Sequence, residues 1–143
     1  MTDLWPSYLE SLAPARTPLI ILKEQASLLG LKTRNLVEAQ VVEVPRLSED
    51  EPFAFDFRLV ASQFGGYRFS LFRIYYGITL YPVRFRIDED ICREMWPESS
   101  EPFVRADSEQ EFVQVLERLL GAEKTRRVIG ALLAQSSGGE AFP

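Results

Sequence analysis

The pattern of apolar and polar positions is most regular between residues 53 and 87, where the two kinds of residue alternate. Phe53, Phe55 and Phe57 lie on one side of an extended chain, and Asp56 lies on the other. Alternation with a period of two is typical of a β-strand with one buried face. Two further runs within this stretch alternate in the same way. The pattern predicts three consecutive antiparallel strands whose phenylalanine-rich side faces the core.

The first turn follows from the need to keep the apolar sides of neighbouring strands together. A slip of one residue in the pairing would move a whole set of side chains to the opposite face of the sheet. We therefore predict a five-residue turn over 62–66. It pairs Ala61 with Tyr67 and Leu59 with Phe69.

The same reasoning predicts a three-residue turn over 75–77. Gly77 then stands where a tight turn needs a left-handed residue. This turn pairs Ile74 with Ile78, Leu71 with Tyr81 and Phe69 with Val83. Pro82 cannot donate a hydrogen bond to a neighbouring strand, so the third of these strands is expected at the sheet edge.

Helices are predicted from capping residues and apolar spacing. Thr17 followed by Pro18 is a typical helix start, and Gly30 is expected to end that helix. Ser108 and Glu111 match the capping-box pattern that begins a helix. The other predicted helical segments are 3–12, 88–94 and 123–135.

Together these elements predict an α+β fold with two layers. A strand at 36–44 precedes the three central strands, and the short connections favour a four-stranded antiparallel meander. N-terminal and C-terminal helices are expected to cover one face of that sheet. We predict a single domain over residues 1–135 and a flexible tail over 136–143.

The composition limits the chemistry available to this chain. Its 143 residues include no histidine and a single cysteine, Cys92. These counts remove the commonest catalytic base, internal disulfides and thiolate metal clusters within one chain. We therefore expect no enzyme activity, no cofactor and no metal. An acidic, proline-containing N-terminus and the absence of a long apolar run predict a cytoplasmic protein without a membrane partner.

The charge is unevenly distributed. Residues 54–87 carry one acid and five bases, a net charge of +4, whereas the whole chain carries −5. Nonspecific nucleic-acid binding requires a positive surface over many phosphates, so we expect no nucleic-acid partner.

The side of the sheet opposite the predicted core, here called the second face, divides into two zones. The apolar zone needs a cover, supplied either by a helix of this chain or by a second copy, because exposed apolar patches of that size are normally covered. We predict that it is a homodimer or protein-partner surface. The basic zone is a candidate for carboxylate or phosphate binding, or else its members pair with nearby acids. The apolar zone comprises Phe72, Ile74, Ile78 and Leu80; the basic zone comprises Arg58, Arg68, Arg84 and Arg86.

Arg73 is the basis for an alternative function, the binding of a small acidic molecule. It falls among apolar side chains on the predicted core face, where an unpaired charge would be costly. A small-molecule pocket between sheet and helices, with Arg73 as the anchor for an acidic ligand, is one way to satisfy it. The other residues of this predicted pocket are Tyr67, Tyr81, Phe85 and Trp96.

These features favour a non-enzymatic protein-interaction module, homodimeric through a sheet face, over the small-molecule alternative. Small acidic secretion chaperones and toxin-neutralising immunity proteins are examples of this broad class. The likeness to them rests on size, charge and α+β build alone.

Overall fold

The computed structural model describes residues 1–12, 15–61, 63 and 67–141, with side chains described as far as Ser136. Among the described residues, a short 3-10 helix (Ser7–Ser11) comes first and four α-helices follow. The helices are α1 (Pro18–Lys32), α2 (Glu89–Met95), α3 (Glu109–Leu120) and α4 (Glu123–Ala141). The strands are β1 (Glu38–Glu43), β2 (Phe53–Ala61), β3 (Tyr67–Tyr76), β4 (Val83–Ile87) and β5 (Phe103–Ala106).

The predicted α+β class and antiparallel meander are confirmed, but the strand count differs. The sheet has five strands in the order β1-β2-β3-β4-β5. The additional strand, β5, pairs antiparallel with β4, so β4 is an inner strand and the prediction that it lies at the edge is wrong. Pro82 precedes β4, where its missing N–H is not needed for pairing.

The β2–β3 register begins as predicted, with Ala61 opposite Tyr67 and Leu59 opposite Phe69. A β-bulge then shifts it, because Arg58 pairs with Ser70 whereas Phe57 pairs with Phe72. The extra residue is Leu71. A bulge reverses the alternation beyond it, so Leu71 and Phe72 are both buried.

The predicted β3–β4 register is wrong. Ile74 pairs with Phe85, and Tyr76 with Val83, across a six-residue connection, 77–82. The bulge is the physical cause, because beyond it the core-facing positions of β3 are even-numbered. A three-residue turn would have placed those positions on the same face of the sheet as the arginines of β4, Arg84 and Arg86. Phe72 and Ile74 therefore lie in the core, 1% and 0% exposed, and not on the second face.

The core lies between one face of the sheet and the helices. Rings from three neighbouring strands and from α3 pack in sequence, the first pair stacked and the next two tilted, with centroid distances of 5.1, 5.6 and 5.2 Å. Each large side chain fully buried in this way contributes about 1.5–3 kcal/mol. The members of this aromatic series are Phe57, Phe72, Phe85 and Phe112.

The two helix starts predicted from capping residues are confirmed, but the predicted helix over 3–12 is reduced to the 3-10 helix Ser7–Ser11. The Thr17 hydroxyl accepts a hydrogen bond from the Ile20 N–H, and the Ser108 hydroxyl accepts one from the Glu111 N–H. The predicted stop at Gly30 is wrong, because α1 runs to Lys32. The left-handed residues Arg34 and Asn35 follow it, with φ of 54° and 63°.

The C-terminal helix is longer than predicted. The backbone of α4 runs to Ala141, beyond the predicted end at residue 135, and the last two residues of the predicted tail lie outside the described residues. Most of the predicted turn at 62–66 also lies outside them. None of the described helices combines the length and the apolar character needed to cross a membrane.

Candidate functional site

The second face of the sheet is rich in arginine. The strand pairings place these side chains on one side, since residues directly opposite in an antiparallel pair share a face. All are partly or fully exposed. The arginine face, as we call it, comprises Arg58 of β2, Arg68 and Arg73 of β3, Arg84 and Arg86 of β4, and Arg105 of β5.

This face contains the four arginines that were predicted as an anion-binding zone. It also contains Arg73 and Arg105, which were not predicted there. Arg73 was assigned to the core face, and the bulge at Leu71 moves it to the second face, opposite Asp56 and Arg86. In the sequence, the adjacent apolar residues Leu71 and Phe72 break the alternation of β3, but this break alone does not identify a bulge. Arg105 was missed because its strand was not predicted.

Asp56 is the carboxylate at the centre of the arginine face. It is 2% exposed and accepts a hydrogen bond from Arg58 Nε at 2.9 Å. It also accepts a hydrogen bond from the Ser70 hydroxyl. Arg73 Nε lies 3.5 Å from Asp56 Oδ1, the oxygen that accepts from Ser70, whereas Arg58 donates to Oδ2. A buried carboxylate needs such partners, and in turn it fixes Arg58 and Arg73 in place.

Arg84 closes one end of the face. Its guanidinium donates to both carboxylate oxygens of Glu51, with Nε–Oε2 at 2.9 Å and Nη2–Oε1 at 2.6 Å. This hydrogen-bonded pair raises the pKa of Arg84, against the opposing effect of burial. The guanidinium carbon also lies 5.6 Å from the Tyr75 ring centroid and 5.5 Å from that of Phe103. The β1–β2 connection is thereby held over Tyr75, and the charge at this end is neutralised.

The other end of the face is open and positive. Among the described residues, neither Arg68 nor Arg86 has a carboxylate within ion-pair distance, and both are exposed. A shallow cleft of about 200 Å³ lies between β3, β4 and the start of α2. Ser70, Arg73 and Arg86 line its sheet side, and Asp88, which pairs with Lys124, and Glu89 line its α2 side. This end therefore carries three partly or fully exposed guanidinium groups, those of Arg68, Arg73 and Arg86, with Asp88 and Glu89 bordering the cleft.

The residues predicted as an apolar partner face do not lie together. Phe72 and Ile74 are in the core, as described above. Ile78 is 80% exposed on the β3–β4 connection. Leu80, in the same connection, packs partly buried against the core. The apolar zone that motivated a homodimer through this face is therefore not formed.

The residues predicted to line a pocket are also separated. Arg73 lies on the second face, whereas Phe85 is fully buried on the core face against Phe112. Tyr67 is 44% exposed at the start of β3. Trp96 follows α2 and stacks under Arg118, whose guanidinium carbon lies 4.7 Å from its ring centroid. These residues form no common cavity.

Comparison with protein-family models, with curated proteins and with solved structures gives no match for this chain. Within the described ranges, no group of three or more cysteine, aspartate or glutamate side chains is placed to hold a metal ion. Function is therefore inferred from the arginine face itself.

Proposed function

We propose that this protein is a non-enzymatic interaction module that binds an acidic segment of a partner protein through the arginine face. The observation that carries the proposal is the open end of that face, where Arg68, Arg73 and Arg86 outnumber the one buried carboxylate, Asp56. The planar guanidinium group suits paired hydrogen bonds to carboxylates. Asp56 holds Arg73 and so reduces the entropy lost when a ligand binds.

The chemistry of the face favours an acidic protein segment over a nucleic acid. Single-stranded nucleic acids need exposed aromatic rings on which bases stack. On this face Tyr75 is fully buried and Phe103 is covered by the guanidinium groups of Arg84 and Arg86. The whole chain is acidic, with a net charge of −5, which opposes binding to a long polyanion.

The other predicted functions lose their support. A homodimer through the second face was argued from Phe72 and Ile74, and a pocket for an acidic ligand was argued from Arg73 in the core. Both arguments depended on the β3–β4 register that the bulge changes. The acidic-ligand chemistry itself is retained, as binding of carboxylates on the open face.

Fluorescence anisotropy with a labelled glutamate-rich peptide tests the proposal. The double variant Arg68→Glu/Arg86→Glu is expected to weaken binding by about tenfold or more, because it removes two charge-assisted contacts. The matched control is Arg126→Glu/Arg127→Glu on α4, which changes the net charge by the same amount at exposed positions. Added salt should weaken binding by the wild type.

Two results would contradict the proposal. One is equal loss of peptide binding in both double variants, which would indicate an effect of net charge alone. The other is binding of a labelled oligothymidylate more tightly than the acidic peptide, which would indicate a nucleic-acid surface.

A further inference from the structure

The N-terminal segment, residues 1–12, exposes most of its apolar side chains. We call this segment the arm. Its 3-10 helix buries no residue, and its described hydrogen bonds are all internal. Large apolar side chains left in water lose the free energy that burial would give them. The exposed fractions are 89% for Leu4, 76% for Trp5, 61% for Tyr8, 39% for Leu9 and 61% for Leu12.

The spacing of these side chains is that of an amphipathic α-helix. Leu4, Tyr8 and Leu12 are four residues apart, and Trp5 and Leu9 extend the same stripe. Residues with this spacing share one face of a helix. The arm therefore has the pattern of a docking helix, although only Ser7–Ser11 is helical in the undocked state. Helices of this kind fold onto an apolar groove of their partner.

A groove of matching character lies on the helical side of the same chain. It has a volume of about 400 Å³, with walls formed by α1, the end of α3 and α4. Leu28 at its rim is 43% exposed, and Leu31 on the same helix is 73% exposed. The apolar residues that line it are Leu28, Leu29, Leu120 and Ile129, with Phe57, Leu59 and Leu71 of the sheet at its floor.

We propose that two copies of this chain exchange arms, each arm folding as a helix into the α1–α4 groove of the other copy, with Trp5 as its anchor. The arm and the groove belong to one chain, so reciprocal exchange gives a closed, symmetric dimer. Within the single chain no described residue of the arm lines the groove, and the arm's apolar side chains stay exposed. A buried tryptophan in a pocket is a typical anchor of such an interface.

Charge and area are consistent with this occupant. The arm carries Asp3 and Glu10, and Lys32 lines the groove without an ion pair among the described residues. An aromatic side chain buries about 150–250 Å². Two arms, each with two aromatic and three leucine side chains, therefore approach the roughly 1,200–2,000 Å² of a stable interface once the groove surfaces are included.

Sedimentation velocity of the full chain at micromolar concentration tests the exchange. We expect a species of twice the 16.4 kDa of one chain. Trp5→Glu and Leu28→Glu are each expected to raise the dimer dissociation constant by about 100-fold or more, because the symmetric dimer contains each contact twice. Ile78→Glu is the control, since Ile78 is an exposed apolar residue, at 80% against 76% for Trp5 and 43% for Leu28, but lies in the β3–β4 connection. It should leave the constant unchanged.

A disulfide experiment distinguishes exchange from docking within one chain. In a Cys92→Ala background, a Leu9→Cys chain is mixed with a differently tagged Leu28→Cys chain and oxidised. Exchange predicts a mixed disulfide dimer. A monomer at all concentrations, a dimer unaffected by Trp5→Glu and Leu28→Glu, or a bond that forms only when both cysteines are in one chain would each overturn the proposal. The arginine face lies on the opposite side of the sheet, so its peptide binding succeeds or fails independently.

Discussion

Replacing Asp56 by alanine is the perturbation that most directly tests how the arginine face is held together. The substitution removes the acceptor of the hydrogen bonds from Arg58 and Ser70, and it removes the charge beside Arg73. Arg58 is the more enclosed of the two arginines, with a side-chain exposure of 18% against 42% for Arg73. Without Asp56, both cations lose the counter-ion that fixes them in place.

The expected loss in the free energy of unfolding follows from these contacts. Breaking a buried ion pair by removing one partner costs about 3–5 kcal/mol. Water replaces part of the lost interaction here because Arg73 is well exposed, so we expect about 2–4 kcal/mol for Asp56→Ala. Asp56→Asn retains an oxygen for the Ser70 hydroxyl and should cost about half as much.

Urea unfolding followed by circular dichroism measures these free energies, provided that the slope with denaturant is unchanged. The control is Asp107→Ala, because Asp107 also pairs with an arginine two residues away, Arg105 Nε, at 2.5 Å. That pair is exposed on both sides, so its loss should cost less than about 0.5 kcal/mol. A cost for Asp56→Ala below about 1 kcal/mol, or equal to that of the control, would refute our account of the face.

Three further predictions concern the β3–β4 register, the end of the arginine face at Arg84, and the loss of stability at acid pH. In urea unfolding, Phe72→Ala should lower the free energy of unfolding by about 3–5 kcal/mol and Ile78→Ala by less than about 0.5 kcal/mol. Similar losses for the two variants would support the register with the three-residue turn instead. Glu51→Gln should change the free energy of unfolding by no more than about 1 kcal/mol but should speed amide exchange in residues 45–52. Unchanged exchange would show that the pair between Glu51 and Arg84, here called the clamp, does not hold this connection. Hydrogen bonds from Lys124 and then Arg93 lower the pKa of Asp90 below its ordinary 3.8. Its stabilising effect is thus present above that value and lost as the pH falls through the lower folded pKa; an NMR titration midpoint at or above 3.8 would contradict this.

Local signals in the sequence predicted much of the fold. Period-two alternation located β2 and β3, and capping residues located the starts of α1 and α3. These features depend on neighbouring residues only, so they can be recognised without knowledge of the tertiary structure. The arginines of the second face were predicted for the same reason, since Arg58, Arg68, Arg84 and Arg86 stand at polar positions of alternating strands.

The remaining features depend on contacts between distant residues. The bulge at Leu71 arises from pairing with β2, and every position after it in β3 changes face. That one residue explains why Phe72 and Ile74 were assigned to the surface and Arg73 to the core. β5 is only four residues long, too short for alternation to identify it. The clamp between Glu51 and Arg84 joins residues 33 apart, which no spacing rule predicts.

NMR observation of the arginine side chains tests most directly whether the open arginine face binds acidic protein segments. Nε–Hε signals of ¹⁵N-labelled protein are followed while the glutamate-rich peptide is added. The account predicts saturable shifts for Arg68, Arg73 and Arg86, and none for Arg126 and Arg127 on α4. Shifts confined to α4, or no saturable shift at any arginine, would contradict it.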